Sequence, residues 1–212
     1  MTTIRQTLSD ARQQLQKTSP SPASDASILL CHVLGCNGSH LIAWPEKELP
    51  PQLSAAFGRV LRRRLEGEPV AYITGEKEFW SLSLKVSADV LIPRPETETL
   101  IEFVLELYAG RSVIKVADIG TGSGAIACAL AAEQPRWDIV ATDISAAALE
   151  IASSNASAHQ LDNIRFLLGA WFEPVSEYDF DLIISNPPYV AADDRHLSED
   201  DVRFEPETAL AS

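Results

Sequence analysis

The richest chemistry in the chain sits in four consecutive residues, Asn186-Pro187-Pro188-Tyr189. The Asn186 side-chain oxygen can accept one hydrogen of an NH2 group. The Pro187 carbonyl can accept the other. Two successive prolines lack N–H groups and push the residues before them out of the helical region, so neither a helix nor a ladder is expected to use that carbonyl. Tyr189 offers a flat face for a conjugated group. Two acceptors and a π-face hold an amide or an exocyclic amine in one orientation, as a reaction at a planar nitrogen requires. On these residues alone a plain proline turn, with Asn as turn former, is the competing reading.

A second group lies upstream. Asp118-Ile119-Gly120-Thr121-Gly122-Ser123-Gly124 stands between an expected strand and an expected helix. Glycines there permit a tight turn and a close approach of backbone to ligand. The spacing is Gly-x-Gly-x-Gly, not the Gly-x-Gly-x-x-Gly of dinucleotide sites. The next expected strand ends in Asp143, about 20 residues on, where an acid suits ribose hydroxyls. Gly169-Ala170-Trp171-Phe172 follows the third strand and supplies an aromatic that can flank an adenine. A glycine turn, an acid, an aromatic and Asn-Pro-Pro-Tyr at four successive strand ends point to S-adenosylmethionine bound across the C-terminal edge of a sheet.

The elements that must carry these residues follow from periodicity. Strands are expected over 113–119, 137–142, 164–168 and 181–185, and helices over 125–132 and 146–158. Such alternation implies a mainly parallel sheet. Phe79 to Val86 alternates and carries aromatic and β-branched residues, the pattern of a hairpin. Pro93 and Pro95 stiffen the segment after it, and a helix from Glu96 or Thr97 runs through Leu107. Arg94, Glu96 and Glu98 can contact a substrate or simply belong to a capped linker. The first 75 residues read as a small helical domain, with apolar faces at Ile4, Leu8, Ala11 and Leu15, at Ala26, Leu29, Leu30, Val33 and Leu34, and at Leu53, Phe57, Val60, Leu61 and Leu65. A short helix over 41–44 is expected between the second and the last of these. Arg62-Arg63-Arg64 is expected to be a solvated helix end favoured by the dipole, in preference to a nucleic-acid patch.

Composition narrows the classes. The chain has 212 residues and 46% hydrophobic content, so a real core is expected and disorder is not. No apolar run approaches the ~20 residues of a membrane span, and the first 16 residues lack the apolar stretch of a signal peptide. Cys31, Cys36 and Cys128 have neither a disulfide pattern nor zinc spacing and read as small buried hydrophobes of a reducing, cytoplasmic protein. The histidines show no metal spacing. Residues 1–75 carry a net charge of +2 and residues 76–212 a net charge of −15, a poor surface for a nucleic-acid backbone.

The chain resembles the glutamine-N5 methyltransferases that modify peptide chain release factors. The matching stretches are Phe79-Trp80-Ser81, residues 92–98, Asp118 to Gly124, Asn186 to Tyr189 and residues 202–206. Asn-Pro-Pro-Tyr alone is shared with DNA adenine-N6 and some ribosomal-RNA guanine-N2 enzymes; the Pro-Arg-Pro-Glu segment and the helical domain are more specific. The resemblance implies an α/β, Rossmann-like S-adenosylmethionine-dependent methyltransferase domain over 96–212. Before it come a helical substrate-recognition domain over 1–75 and a hairpin and proline-rich linker over 76–95. It implies that Gly120, Thr121, Gly122, Ser123, Gly124, Asp143, Trp171 and Asn186 line the cofactor pocket. Asn186, Pro187, Pro188 and Tyr189 would hold the glutamine of a Gly-Gly-Gln motif in a class 1 release factor, with Asn186, Pro187 and Tyr189 acting in catalysis. No metal, membrane or direct nucleic-acid partner is expected. The runner-up activities are a nucleic-acid methyltransferase and a non-catalytic cofactor-binding fragment. Enzymes of this class carry about seven strands, so the four expected before Ser212 imply that the last strands are missing.

Overall fold

The helices of the N-terminal part form where their apolar stripes put them. In the computed structural model, residues 2–188, 200–206 and 209–210 are described, and the chain divides into two compact units, Met1–Thr74 and Gly75–Ser212. The first holds α1 (Ile4–Leu15), α2 (Pro22–Leu34), α3 (Gly38–Ala43), α4 (Pro51–Leu65) and α5 (Val70–Thr74). Thr3 caps α1 through its side chain. Gly35 ends α2 in the left-handed conformation, with Cys36 N–H returning to the Cys31 carbonyl at 3.1 Å. Ile4, Leu15, Leu29, Leu30, Phe57 and Leu61 share one buried core. Helix α5 has no counterpart in the sequence reading, because five residues are too few to show a helical stripe.

Arg64 corrects one expectation. It is not part of a solvated helix end: it is 2% exposed, and its Nε lies 2.7 Å from Asp25 Oδ2. Its Nη1 donates to the carbonyls of Gly67 and Glu68. Arg63 takes the surface role instead, pairing with Glu68. Three consecutive arginines on a helix point in three directions, and only the one facing α2 meets a buried carboxylate.

The second unit opens with an antiparallel hairpin, β1 (Glu76–Phe79) and β2 (Leu82–Lys85). Its turn residues Trp80 and Ser81 both have positive φ, 50° and 60°, although neither is Gly or Asn. Fixed partners offset that strain: Trp80 N–H donates to Glu98 Oε1 at 2.9 Å, and its indole N–H to Glu133 Oε1 at 2.8 Å. Glu98 thus serves the hairpin. After α6 (Glu98–Leu107) come β3 (Lys115–Ile119), α7 (Ala125–Glu133), β4 (Asp138–Asp143), α8 (Ala146–Ala158), β5 (Ile164–Leu168) and β6 (Leu182–Ser185). The four strands form a parallel sheet in the order β5-β4-β3-β6. One face packs on α6, α7 and the hairpin through Val116, Ile139, Ala141, Ile101, Leu130 and Leu84. Ala117, Ile119, Val140 and Val175 pack on the other.

Two side chains fix the level at which β6 enters. Asp181 exchanges backbone hydrogen bonds with Lys115 through its own N–H and its carboxylate, and Tyr108 donates to the Asp181 carbonyl at 2.6 Å. Ile119 is then paired with Ser185 on one side and Thr142 on the other. Gly120 and Asn186 therefore leave the sheet at the same edge, on neighbouring strands.

Candidate active site

The chain fills β3, β4 and β5 on one side and then returns to place β6 on the other side of β3. Such a reversal opens a crevice outside the strand ends. A cavity of about 390 Å³ lies there. Its described lining includes Gly120, Thr121, Gly122, Ser123, Asp143, Trp171, Asn186, Pro187 and Pro188. The four strand-end groups singled out in the sequence therefore meet in one space. Tyr189, together with Asp193, Asp194 and Glu199, lies outside the described residues.

The glycine turn is built by its neighbours. Gly120 and Thr121 N–H both donate to the Thr142 carbonyl at 2.9 Å, which ties the turn to β4. Gly120 and Gly122 have φ of 73° and 56°, and a Cβ on either would meet no atom within 4 Å. Gly124 serves a different purpose. It does not line the cavity, and a Cβ there would lie 3.0 Å from Ala152 Cβ, so its absence lets the start of α7 approach α8. Asn155, 2% exposed on α8, holds the same turn by donating to the Ser123 carbonyl at 2.8 Å.

Asp143 is oriented before any ligand arrives. Its Oδ2 accepts Gly122 N–H and its Oδ1 accepts Ser145 N–H, each at 2.9 Å. Each oxygen keeps lone-pair capacity for a hydroxyl donor. Trp171, 62% exposed with φ 49°, and Ile144, 71% exposed, present apolar faces to the same cavity. Open space beside two glycines, an acceptor pair and two exposed apolar faces match the phosphate-free, diol-bearing, aromatic groups of S-adenosylmethionine.

Beneath the turn lies Asp118, fully buried. Burial pushes its carboxyl up to about 6, with the Asp143 charge adding to the rise, while the Thr121 hydroxyl and the Ala127 N–H pull the other way. Thr121 Oγ1 donates to Oδ2 at 2.6 Å, and Oδ1 has no hydrogen-bond partner among the described residues. Burial, with the Asp118 charge, lifts the nearby Cys128 thiol to about 12, so that thiol is inert packing.

On β6, Ser185 Oγ donates to the Ile119 carbonyl at 2.8 Å and locks the strand end. Asn186 and Pro187 line the cavity, and neither the Asn186 side chain nor the Pro187 carbonyl has a hydrogen-bond partner among the described residues. Ile144 and Asn155 escaped the sequence reading. An apolar residue directly after a strand-end acid, and a lone amide on the buried face of an Ala- and Ser-rich helix, were the signals for them.

Comparison with known proteins agrees with this geometry. A family model for the PrmC N-terminal domain matches residues 6–75, and one for the methyltransferase small domain matches residues 97–200. The release factor glutamine methyltransferase of Aliivibrio fischeri is 50% identical over 195 residues, 92% of this chain and 68% of that protein. That of Coxiella burnetii is 45% identical over 212 residues, 100% of this chain and 76% of its own length. That of Escherichia coli is 44% identical over 97% of this chain and 73% of its own length. Among solved structures, the catalytic domain of human Mettl16 in complex with a MAT2A 3′UTR hairpin aligns at a TM-score of 0.50 and 18% identity, covering 81% of this chain and 60% of that one; this likeness speaks to the fold alone. At 50% identity over 92% of this chain and 68% of that relative, and 45% over the whole of this chain with a second, the chain belongs to the release factor glutamine methyltransferase family.

Proposed function

We propose that this chain methylates the N5 side-chain amide of the glutamine in the Gly-Gly-Gln motif of class 1 peptide chain release factors. S-adenosylmethionine, the methyl donor of the family, supplies an electrophilic methyl group. The observation that carries the reading is that Asn186 and Pro187, whose side-chain amide and carbonyl have no hydrogen-bond partner among the described residues, line one cavity with the glycine turn and Asp143.

An amide nitrogen is a poor nucleophile because its lone pair is delocalised into the carbonyl. Acceptors on both of its hydrogens raise electron density on nitrogen and stabilise the positive charge that grows there. The prolines make the carrier stiff, so the acceptors are preorganised. Asp143, Gly120, Thr121, Gly122 and Ser123 hold the donor, and Trp171 and Ile144 shield its ring from water. Holding both reactants in one cavity supplies the alignment term. A strong general base is not required, because the methylated amide is acidic enough to lose its proton afterwards. The helical unit, Met1–Thr74, is assigned to recognition of the protein substrate.

Incubation with methyl-labelled S-adenosylmethionine and either an intact release factor or duplex DNA tests the reading. Label is expected on the Gly-Gly-Gln peptide of the factor and not on DNA. Label on DNA would favour the nucleic-acid reading, and binding of the donor without transfer to either would favour a non-catalytic module.

A further inference from the structure

Arg94 and Glu205 form an ion pair that the mechanism above leaves unused. Arg94 Nη2 lies 2.6 Å from Glu205 Oε1, and the Glu205 side chain is 0% exposed. The other Glu205 oxygen accepts Ile92 N–H at 3.2 Å. Arg94 is 36% exposed and lines the cavity. Among the described lining residues it is the one cation, facing a space that also holds Asp89 and Asp143. Glu205 arrives from the segment after Asn-Pro-Pro-Tyr, and Ala209 from the same segment lines the cavity.

We infer that Arg94 receives the carboxylate at the amino-acid end of S-adenosylmethionine, and that Glu205 is the positioning residue that aims its guanidinium. This rests on the methyl-donor reading of the cavity. Burying a carboxylate as completely as Glu205 is costly, and an apolar side chain would close the same wall more cheaply; a pair kept at such a place serves to orient the fork. A guanidinium presents five donors in a planar array that matches a carboxylate in a bidentate way. One arm is held by Glu205, and Arg94 has no other hydrogen-bond partner among the described residues.

The glutamine carbonyl is a poorer candidate for this cation. A donor on the amide oxygen draws the nitrogen lone pair further into the carbonyl and so opposes what Asn186 and Pro187 do. The donor's carboxylate does not react, and without Arg94 it would share the cavity with two aspartates and no cation among the described lining residues.

Calorimetry on the full chain with two ligands tests this. S-adenosylhomocysteine carries the amino-acid end, and 5′-methylthioadenosine lacks it. Arg94→Gln should weaken S-adenosylhomocysteine by about tenfold or more, the scale of a charged hydrogen bond, and leave 5′-methylthioadenosine within about twofold. Glu205→Gln should shift S-adenosylhomocysteine in the same direction by less. Should Arg94→Gln fail to fold, Arg94→Lys keeps the charge and the partner but loses the fork, and it should still weaken S-adenosylhomocysteine selectively. Equal weakening of both ligands, no weakening of either, or an effect confined to the KM of the release factor would overturn the assignment. Failure of the unmodified protein to bind either ligand would instead sink the methyl-donor reading itself.

Discussion

Asn155 grips Lys85 by both ends of its backbone. Its Oδ1 accepts the Lys85 N–H at 2.7 Å and its Nδ2 donates to the Lys85 carbonyl at 3.1 Å. The same Nδ2 reaches the Ser123 carbonyl at 2.8 Å, so one buried amide joins α8, the hairpin and the glycine turn. Asn155→Ala leaves these backbone groups without their partner and should cost about 2–3 kcal/mol of stability. Asn155→Asp keeps the acceptor but loses both donations and buries a charge, so it should be worse. Donor affinity should fall in both variants, because the turn loses its brace. Denaturant melts and calorimetry check this; an Asp variant as stable as the parent would remove Asn155 from the role.

Asp118 should make stability depend on pH in an unusual direction. Its carboxyl rises from an ordinary 3.8 to about 6 in the folded chain. Between those values the folded state holds a proton that the unfolded state has released. Its contribution is therefore fully present below pH 3.8 and is lost as pH rises through 6, amounting to about 3 kcal/mol. Other carboxylates titrate in the same range, so the informative quantity is the difference between the parent and Asp118→Asn. That difference should move in favour of the Asn variant by up to this amount between pH 4 and pH 7. A pH-independent difference would show that Asp118 is ionised throughout.

In the helical unit, Asp25 accepts from buried Arg64 at 2.7 Å, and Ser19 Oγ also donates to it at 2.8 Å. Asp25→Ala removes a carboxylate that Arg64 Nε bonds at 2.7 Å while the cation stays 2% exposed, and it should destabilise the chain by about 3 kcal/mol. Asp25→Ala combined with Arg64→Met should recover much of the loss, which equilibrium unfolding of the single and double variants would measure.

The parts of the fold that local pattern governs were legible. The expected spans of α8 and β5 coincide with the observed ones, the other strands of the parallel sheet differ by one or two residues at their ends, and the hairpin, expected from Phe79, begins three residues earlier at Glu76. The glycine turn, Asp143, Trp171 and Asn186 announced themselves because each stands at or just past a strand's end, and register does the rest. What stayed hidden depends on partners far away in sequence. Nothing near Arg64 distinguishes it from Arg63; Asp25, 39 residues earlier, does. The hairpin turn at Trp80-Ser81 lacks Asn-Gly because Glu98 and Glu133 hold it open. Glu205 gains its meaning only from Arg94, 111 residues away.

Asn186→Ala should nearly abolish methyl transfer and leave the fold intact. The side chain is half-buried and has no partner among the described residues, so its removal breaks no bond among them. Its contribution is greatest as charge develops on nitrogen, so kcat should fall by about a hundredfold or more while KM moves less. Some loss of donor affinity is expected because the residue borders the same cavity. Near-normal turnover would rule out the two-acceptor mechanism.

The acidic second part of the chain should speed capture of a basic protein substrate. Residues 76–212 carry a net charge of −15, and Asp193, Asp194, Glu199, Asp200 and Asp201 follow Asn-Pro-Pro-Tyr in sequence. A release factor's Gly-Gly-Gln domain works against ribosomal RNA, so the surface around its glutamine is expected to be basic. Opposite fields raise association rates, and salt screens them over a Debye length of ~10 Å at 0.1 M. Association of the intact factor should therefore slow as salt rises, with little change in the methyl-transfer step once the complex has formed. Asn at positions 193, 194 and 200 should flatten that slope without altering donor affinity. A short Gly-Gly-Gln peptide has little charge to steer and should barely respond to salt. Stopped-flow association at graded ionic strength separates these cases: equal slopes for the intact factor and the peptide would refute steering and leave the roles of Asn186 and Pro187 untouched.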